Sequence, residues 1–209
     1  MKKITIIALT LIVFSCSSKK QDVENVQKTF NSYKNAVLQK NGTDAIKFVD
    51  KTTIDYYAKM LDHAKNIKSN ELQNLTLLDK LMILSLRHRA TSTELNSFND
   101  ESLLIWAINS GMIGEESVKN ATMGTIEIDG NNAKGQFINN GQSTPFYYKF
   151  VKSGETWKID LTSMFSVSEK GLIQLARQQN MTHQEFIYYL LEMTTGKEVN
   201  PNIWYKMIE

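Results

Sequence analysis

The chain has 209 residues, 42% of them hydrophobic, with 24 Lys and Arg against 22 Asp and Glu for a formal charge of +2. That balance leaves no basic excess for a nucleic-acid backbone and no acidic block for cations. Cys16 is the only cysteine, which excludes an intrachain disulfide and any zinc site built on cysteine pairs.

Met1, Lys2 and Lys3 precede an apolar run from Ile4 to Phe14, the layout of a secretory signal. As a helix this run reaches ~17 Å, against ~30 Å for a bilayer core, so a spanning helix is not expected. The run closes on Val13, Phe14, Ser15 and Cys16. This segment resembles the bacterial lipobox, in which a small residue precedes an invariant cysteine. The resemblance implies diacylglyceryl attachment to the Cys16 sulfur, cleavage before Cys16 and acylation of the new amino group. It places the chain in the cell envelope on a lipid anchor. Ser17, where an aspartate would signal inner-membrane retention, points to the outer membrane. A thiolate is the nucleophile such chemistry needs, and two or more acyl chains make an anchor stable. The expected organisation is a signal peptide over 1–15, a lipidated tether over 16–21 and a single α+β domain over 22–209.

Val23, Val26, Phe30, Tyr33 and Val37 recur at steps of three and four, which predicts a helix over 22–40. Asn41 and Gly42 stop it, and Thr43 caps a short helix carrying Ala45, Ile46 and Val49. Thr52 or Thr53 begins the next, with Asp55 in its first turn facing the helix dipole. Ile54, Tyr57, Leu61 and Ala64 form its apolar face. Residues 72–88 are apolar nearly all round, which predicts a helix covered on several sides. A further helix is expected over 100–110, ended by Gly111.

The period then changes to two. "TIEID" (125–129), "AKGQFI" (133–138), "TPFYYKFV" (144–151) and "ETWKIDL" (155–161) predict four strands joined by Gly- and Asn-rich hairpin turns. Ile126, Ile128, Phe137, Phe146, Tyr148, Phe150, Trp157, Ile159 and Leu161 share one face. Glu127, Lys134, Tyr147, Lys149 and Asp160 share the other. The helices of 22–67 are the expected cover for the apolar face. The tail reads as helical over 169–179. A capping box of Thr182 and Glu185 opens a helix through 194. A short last helix starts at Pro201 and carries Ile203, Trp204 and Met207.

Helices over 22–67 followed by a bent antiparallel meander ending in "GETWKIDLTSMF" (154–165) resemble the nuclear transport factor 2-like, or cystatin-like, α+β cone. The resemblance covers 22–67 and 122–165. Residues 68–118 and 166–209 depart from the minimal cone as a helical insertion and a helical tail. The family contains isomerases and dehydratases, but these need carboxyls on the inner face, and here the inner positions are apolar.

His63, His88 and His183 lie far apart and none pairs with another ligand type at a familiar metal spacing, so neither metal nor cofactor is expected. Tyr33, Tyr57, Phe137, Tyr148 and Trp157 are the candidate lining of a pocket or core. Tyr147 and Trp204 are candidate partner contacts. The expected function is a non-catalytic envelope module that binds a protein or a small apolar ligand. The alternatives are an envelope isomerase, dehydratase or hydrolase, and an assembly subunit recognised through 68–118.

Overall fold

The computed structural model describes residues 12–205, with side chains from residue 18 onward. The stripe of Val23, Val26, Phe30, Tyr33 and Val37 lies on a helix longer than the stripe itself, α1 (Ile12–Leu38). Residues 17–21, expected as a tether, continue this helix. They contain neither Gly nor Pro to break it. Lys40 takes the left-handed conformation (φ 53°), and the Lys40 and Asn41 N–H groups donate back to Val37 and Ala36. This closes α1 in a Schellman turn and leaves the Asn41 side chain, not Thr43, to cap α2 (Gly42–Ala45).

In α3 (Lys51–Asn66) the cap is Asp50, whose carboxylate accepts from Thr53 N–H at 2.9 Å. Neither Thr52 nor Thr53 plays that part. Thr53 is fully buried and its hydroxyl accepts from Leu161 N–H at 2.9 Å, tying α3 to the end of the sheet. Asp55 pairs with Lys51 one turn earlier and is not in the first turn. The expected helix over 72–88 divides into α4 (Ser69–Leu72) and α5 (Leu77–Arg89). The break falls at Thr76, which caps α5 by accepting from Asp79 N–H at 3.1 Å. Glu169, distant in sequence, accepts from Leu77 and Leu78 N–H at 3.0 and 2.7 Å. Two donors that α5 cannot satisfy itself are thereby paired.

An additional short helix, α6 (Ser92–Ser97), precedes α7 (Asp100–Asn109), and each begins with a capping box. Gly42 meets α7 closely. A Cβ there would stand 2.4 Å from the Ile105 carbonyl oxygen, so α2 and α7 touch only because the residue has none.

The sheet is a meander of β1 (Ala121–Asp129), β2 (Asn132–Asn139), β3 (Gln142–Ser153) and β4 (Thr156–Asp160), antiparallel throughout and in sequence order. Its curvature has a visible source. Between Met123 and Ile126, β1 carries one residue more than β2 opposite, a bulge that switches parity. Ala121 and Met123 therefore share the covered face with Ile126 and Ile128, and the strand starts four residues earlier than expected. Between Gln136 and Ile138 the β2–β3 register slips again, around Pro145, which has no N–H for the ladder. Thr144 stitches that slip by donating to the Phe137 carbonyl at 2.7 Å. Phe146 was expected on the covered face. It falls in the slipped stretch and is 37% exposed.

α1 lies over β1 and β4, and α3 reaches β4, so helices from the first half cover the apolar face. The chain closes with α8 (Phe165–Gln178), which starts four residues before its expected position, α9 (His183–Thr195) and a 3₁₀ turn over Pro201–Trp204. The Thr182–Glu185 capping box is present, and Gly196 (φ 66°) ends α9. Trp204 lies in the 3₁₀ turn, not in an α-helix; Met207 and Ile208 lie outside the described residues.

Within the first half of α1, Asp22 ties helix to sheet. It accepts from Trp157 Nε1 at 2.9 Å and from Lys152 Nζ at 2.7 Å. The bonds from Lys152 and Trp157 hold its carboxyl below the usual carboxylate range. A folded value below the unfolded one means the contribution is complete above the unfolded carboxyl's value of ~3.9. It is lost as pH falls through the lowered folded value. Asp22→Asn is thus expected to melt below the native chain at ~pH 7, and the gap should close by ~pH 2. Thermal denaturation followed by circular dichroism at both pH values checks this.

Candidate functional site

The covered face of the sheet is not completely filled by the helices. Between them lies a cavity of about 470 Å³, within the range of small-molecule sites. α1 contributes Phe30 and Tyr33, α3 contributes Tyr57, and β2 and β3 contribute Phe137 and Tyr148. The connection over 112–118 and the residues around the start of α8 close the remaining side. The wall follows from the patterns of the elements. Tyr33 and Tyr57 sit on the apolar stripes of their helices, and Phe137 and Tyr148 on the covered parity of their strands. Across the sheet, the small Gly135 and Ala133 of β2 face Tyr148 and Phe150 of β3. Tyr148 is wedged between Phe30, at 5.2 Å between ring centroids, and Phe137, at 5.5 Å, edge-to-face and tilted contacts that fix its orientation.

Three tyrosine hydroxyls meet this space. Tyr33 and Tyr57 are each 3% exposed and Tyr148 is 8% exposed. None of the three hydroxyls has a hydrogen-bond partner among the described residues. Tyr56 and Tyr188, by contrast, are bonded to Asp79 and Trp204 at 2.8 and 2.9 Å. Arg89 Nε is the one side-chain polar atom that is both sealed and unpartnered among the described residues. The three hydroxyls are therefore not sealed, and the space they reach is the cavity. Burial first, then Tyr57 and Tyr148 nearby, push the Tyr33 hydroxyl well above its ordinary value. Burial also raises Tyr57, and pushes Tyr148 up to about 12. All three stay protonated at physiological pH and present O–H donors to an otherwise largely apolar wall.

Ionisable groups stand back from it. Glu116 is the one carboxylate of the lining; it sits exposed at the mouth, beside Ser117 and Ser168, and is paired with Lys119. Asp55 and Asp62 of α3 are exposed and engaged with Lys51 and Asn66. Glu155, the one acid of covered parity, is exposed in the β3–β4 turn. His88 bonds Thr195 at 2.9 Å at the α5–α9 contact, and His63 and His183 belong to other helices. Among the described residues no three His, Cys, Asp or Glu side chains converge. A second, larger groove of about 650 Å³ runs between α1 and the β1 bulge. Polar side chains such as Glu24, Lys28 and Asn31 line it, all exposed.

Of the residues expected to line a pocket or core, Tyr33, Tyr57, Phe137 and Tyr148 come together at the cavity, and Trp157 lies in the core away from it. It packs under the N-terminal half of α1, bound to Asp22. Tyr147 lies on the open face with Lys134 Nζ 5.3 Å above its ring. Trp204 is half-buried and donates to Tyr188, so it is used inside the chain. Sequence reasoning missed the other wall of the cavity, Met112, Ile113, Met164 and Phe165. "GMIG" (111–114) carried a signal for part of it, because an apolar pair between two glycines is a loop with something to cover.

The side chain of Cys16 lies outside the described residues. No helix among the described residues is long and apolar enough to cross a membrane. Comparison with protein-family models, curated proteins and solved structures finds no match to this chain.

Proposed function

We propose that this chain is an envelope lipoprotein, anchored through Cys16 to the outer membrane, whose domain binds a small apolar ligand without transforming it. The observation that carries the binding role is the 470 Å³ cavity walled by aromatic and aliphatic side chains with three available hydroxyl donors. Sites of this build bury apolar ligands and orient them with few polar groups. The anchor rests on the "VFSC" segment at 13–16 and its lipobox resemblance. The curved meander under α1 and α3 is the arrangement a nuclear transport factor 2-like cone would have, and supports that resemblance of fold.

Two experiments test the two parts. Cys16→Ala is expected to leave uncleaved precursor and to abolish incorporation of labelled fatty acid; persistent labelling would remove the anchor. For the cavity, the full chain in mild detergent is irradiated with benzophenone and the modified residues are located by peptide mass spectrometry. Labelling should concentrate on Met112 and Met164 and disappear in Ser168→Trp. That variant places an indole at the exposed mouth and should melt like the native chain. Labelling scattered over the surface, or unchanged in Ser168→Trp, would refute the site.

A further inference from the structure

The cavity's polar chemistry is narrower than its volume, and it selects among apolar ligands. Tyr33 enters from α1, Tyr57 from α3 and Tyr148 from β3, three elements far apart in sequence. Each is more than nine-tenths buried, and each hydroxyl is without a partner among the described residues. The hydroxyls are open to the cavity, so their O–H groups are donors left over by the fold and available to an acceptor that enters it.

The sign of that acceptor's charge follows from the rest of the lining. Among the described residues no lysine, arginine or histidine lines the cavity, and the one charged side chain that does, Glu116, is negative. A buried anion needs a cation or several charge-assisted bonds to offset its desolvation. Here it would have only neutral donors inside, and at the entrance a carboxylate already paired with Lys119. A cation would find hydroxyl oxygens and ring faces, but then the three O–H groups would keep no acceptor. A carbonyl oxygen has two lone pairs and no proton of its own to place, so it takes two of these donors at once.

We infer that the ligand is an uncharged, mostly apolar compound whose polar group is a carbonyl, of the ketone, quinone or ester class, held by two hydroxyls of the set Tyr33, Tyr57 and Tyr148. This rests on the cavity being a ligand site.

The test separates the two readings. Fluorene, 9-fluorenone and fluorene-9-carboxylate have nearly the same ring frame and differ at one carbon. Each is used to protect Met112 and Met164 from benzophenone labelling in the full chain, with concentrations corrected for partition into the detergent. Fluorenone should protect at roughly tenfold lower concentration than fluorene, the worth of one to two hydrogen bonds. The carboxylate should protect least. In Tyr33→Phe/Tyr57→Phe/Tyr148→Phe the cavity keeps its shape, fluorene should protect as before, and the preference for fluorenone should vanish. This variant should melt no lower than the native chain, because the hydroxyls it loses have no partner among the described residues. Tyr148→Phe alone should lower the preference roughly threefold, the loss of one modest bond, and serves if the triple variant folds poorly. Equal protection by fluorene and fluorenone in the native chain would overturn the carbonyl assignment and leave the cavity as a ligand site. Strongest protection by the carboxylate would overturn it too. Unlocalised benzophenone labelling would overturn both.

Discussion

Arg87→Met is expected to destabilise the fold by about 3–5 kcal/mol, a loss at the upper end for single substitutions. Arg87 projects from α5 and is 5% exposed. Its Nε donates to the Ala64 carbonyl at 2.8 Å. Its two terminal nitrogens donate to the carbonyls of Ile203, Ile67 and His63 at 3.0, 3.0 and 3.3 Å. Three of these acceptors belong to the end of α3 and the residue after it, where the helix dipole is negative; the His63 carbonyl also accepts from Ile67 N–H at 3.0 Å, while those of Ala64 and Ile67 have the guanidinium. The fourth belongs to the closing 3₁₀ turn. No carboxylate pairs with Arg87 among the described residues, so backbone oxygens alone replace its hydration. Burial lowers the guanidinium to about 10, which leaves it a cation at neutral pH.

Methionine fills a similar volume but donates nothing, so buried acceptors lose their partner at about 1–3 kcal/mol each before relaxation. For a chain of this size the melting temperature should fall by roughly 10 °C. Arg87→Lys should recover little, because one ammonium cannot reproduce a planar fork that reaches both α3 and the tail. Residues 200–205 should become the first site of limited proteolysis in both variants. A native melting curve for Arg87→Met would show that these carbonyls reach water without the guanidinium.

Trp157→Asp should leave no folded chain at 25 °C. Trp157 is 2% exposed on β4, its indole N–H is bound to Asp22, and its carbonyl accepts from the Thr29 hydroxyl at 3.1 Å. Removing the ring forfeits about 3–5 kcal/mol of packing and transfer energy. The new carboxylate would be buried opposite the carboxylate of Asp22, adding several kcal/mol more. The sum is comparable with the whole stability of a typical domain, ~5–15 kcal/mol. Trp157→Phe separates the two contributions. It keeps most of the apolar volume, loses the bond to Asp22 and should cost about 1–2 kcal/mol. Circular dichroism and a denaturant titration read both variants. A cooperative, native-like transition in Trp157→Asp would mean that this side chain does not bear on the core.

Features with a local cause were legible in the sequence. The stripe on α1, the Thr182–Glu185 box, and the hairpin turns with positive φ at Gly130, Asn140, Gly141 and Gly154 depend on residues a few positions apart. So does the alternation that put Tyr148 and Phe150 on the covered face. What was not legible depends on partners supplied by the rest of the fold. Asp50 looks like any loop acid until the turn before α3 places it at the cap. Thr53 looks like a cap until Leu161 arrives 108 positions later to take its hydroxyl. Arg87 sits in the last turn of α5, where a cation would suit that helix's own dipole, and instead serves the end of α3. The bulge at Gly124–Thr125 changes strand parity without any change in composition, and the slip at Pro145 takes Phe146 out of the ladder. The candidate site divides in the same way. The tyrosines were visible because they obey helix and strand periods. The opposite wall was not, because Met112 and Met164 sit in connections where no period applies.

The unbroken course of α1 bears on how far the ligand cavity stands from the bilayer. On the proposed anchor there is no floppy leash between lipid and globule. Residue 16 is already helical, and seventeen residues of the same rod lead to Tyr33, ~26 Å at the helical rise. Reach and tilt would then be those of a stiff mast, with the β3–β4 hairpin beside its foot and the tyrosines well above the headgroups. A ligand in this geometry would be exchanged with the aqueous compartment, not drawn sideways out of the leaflet.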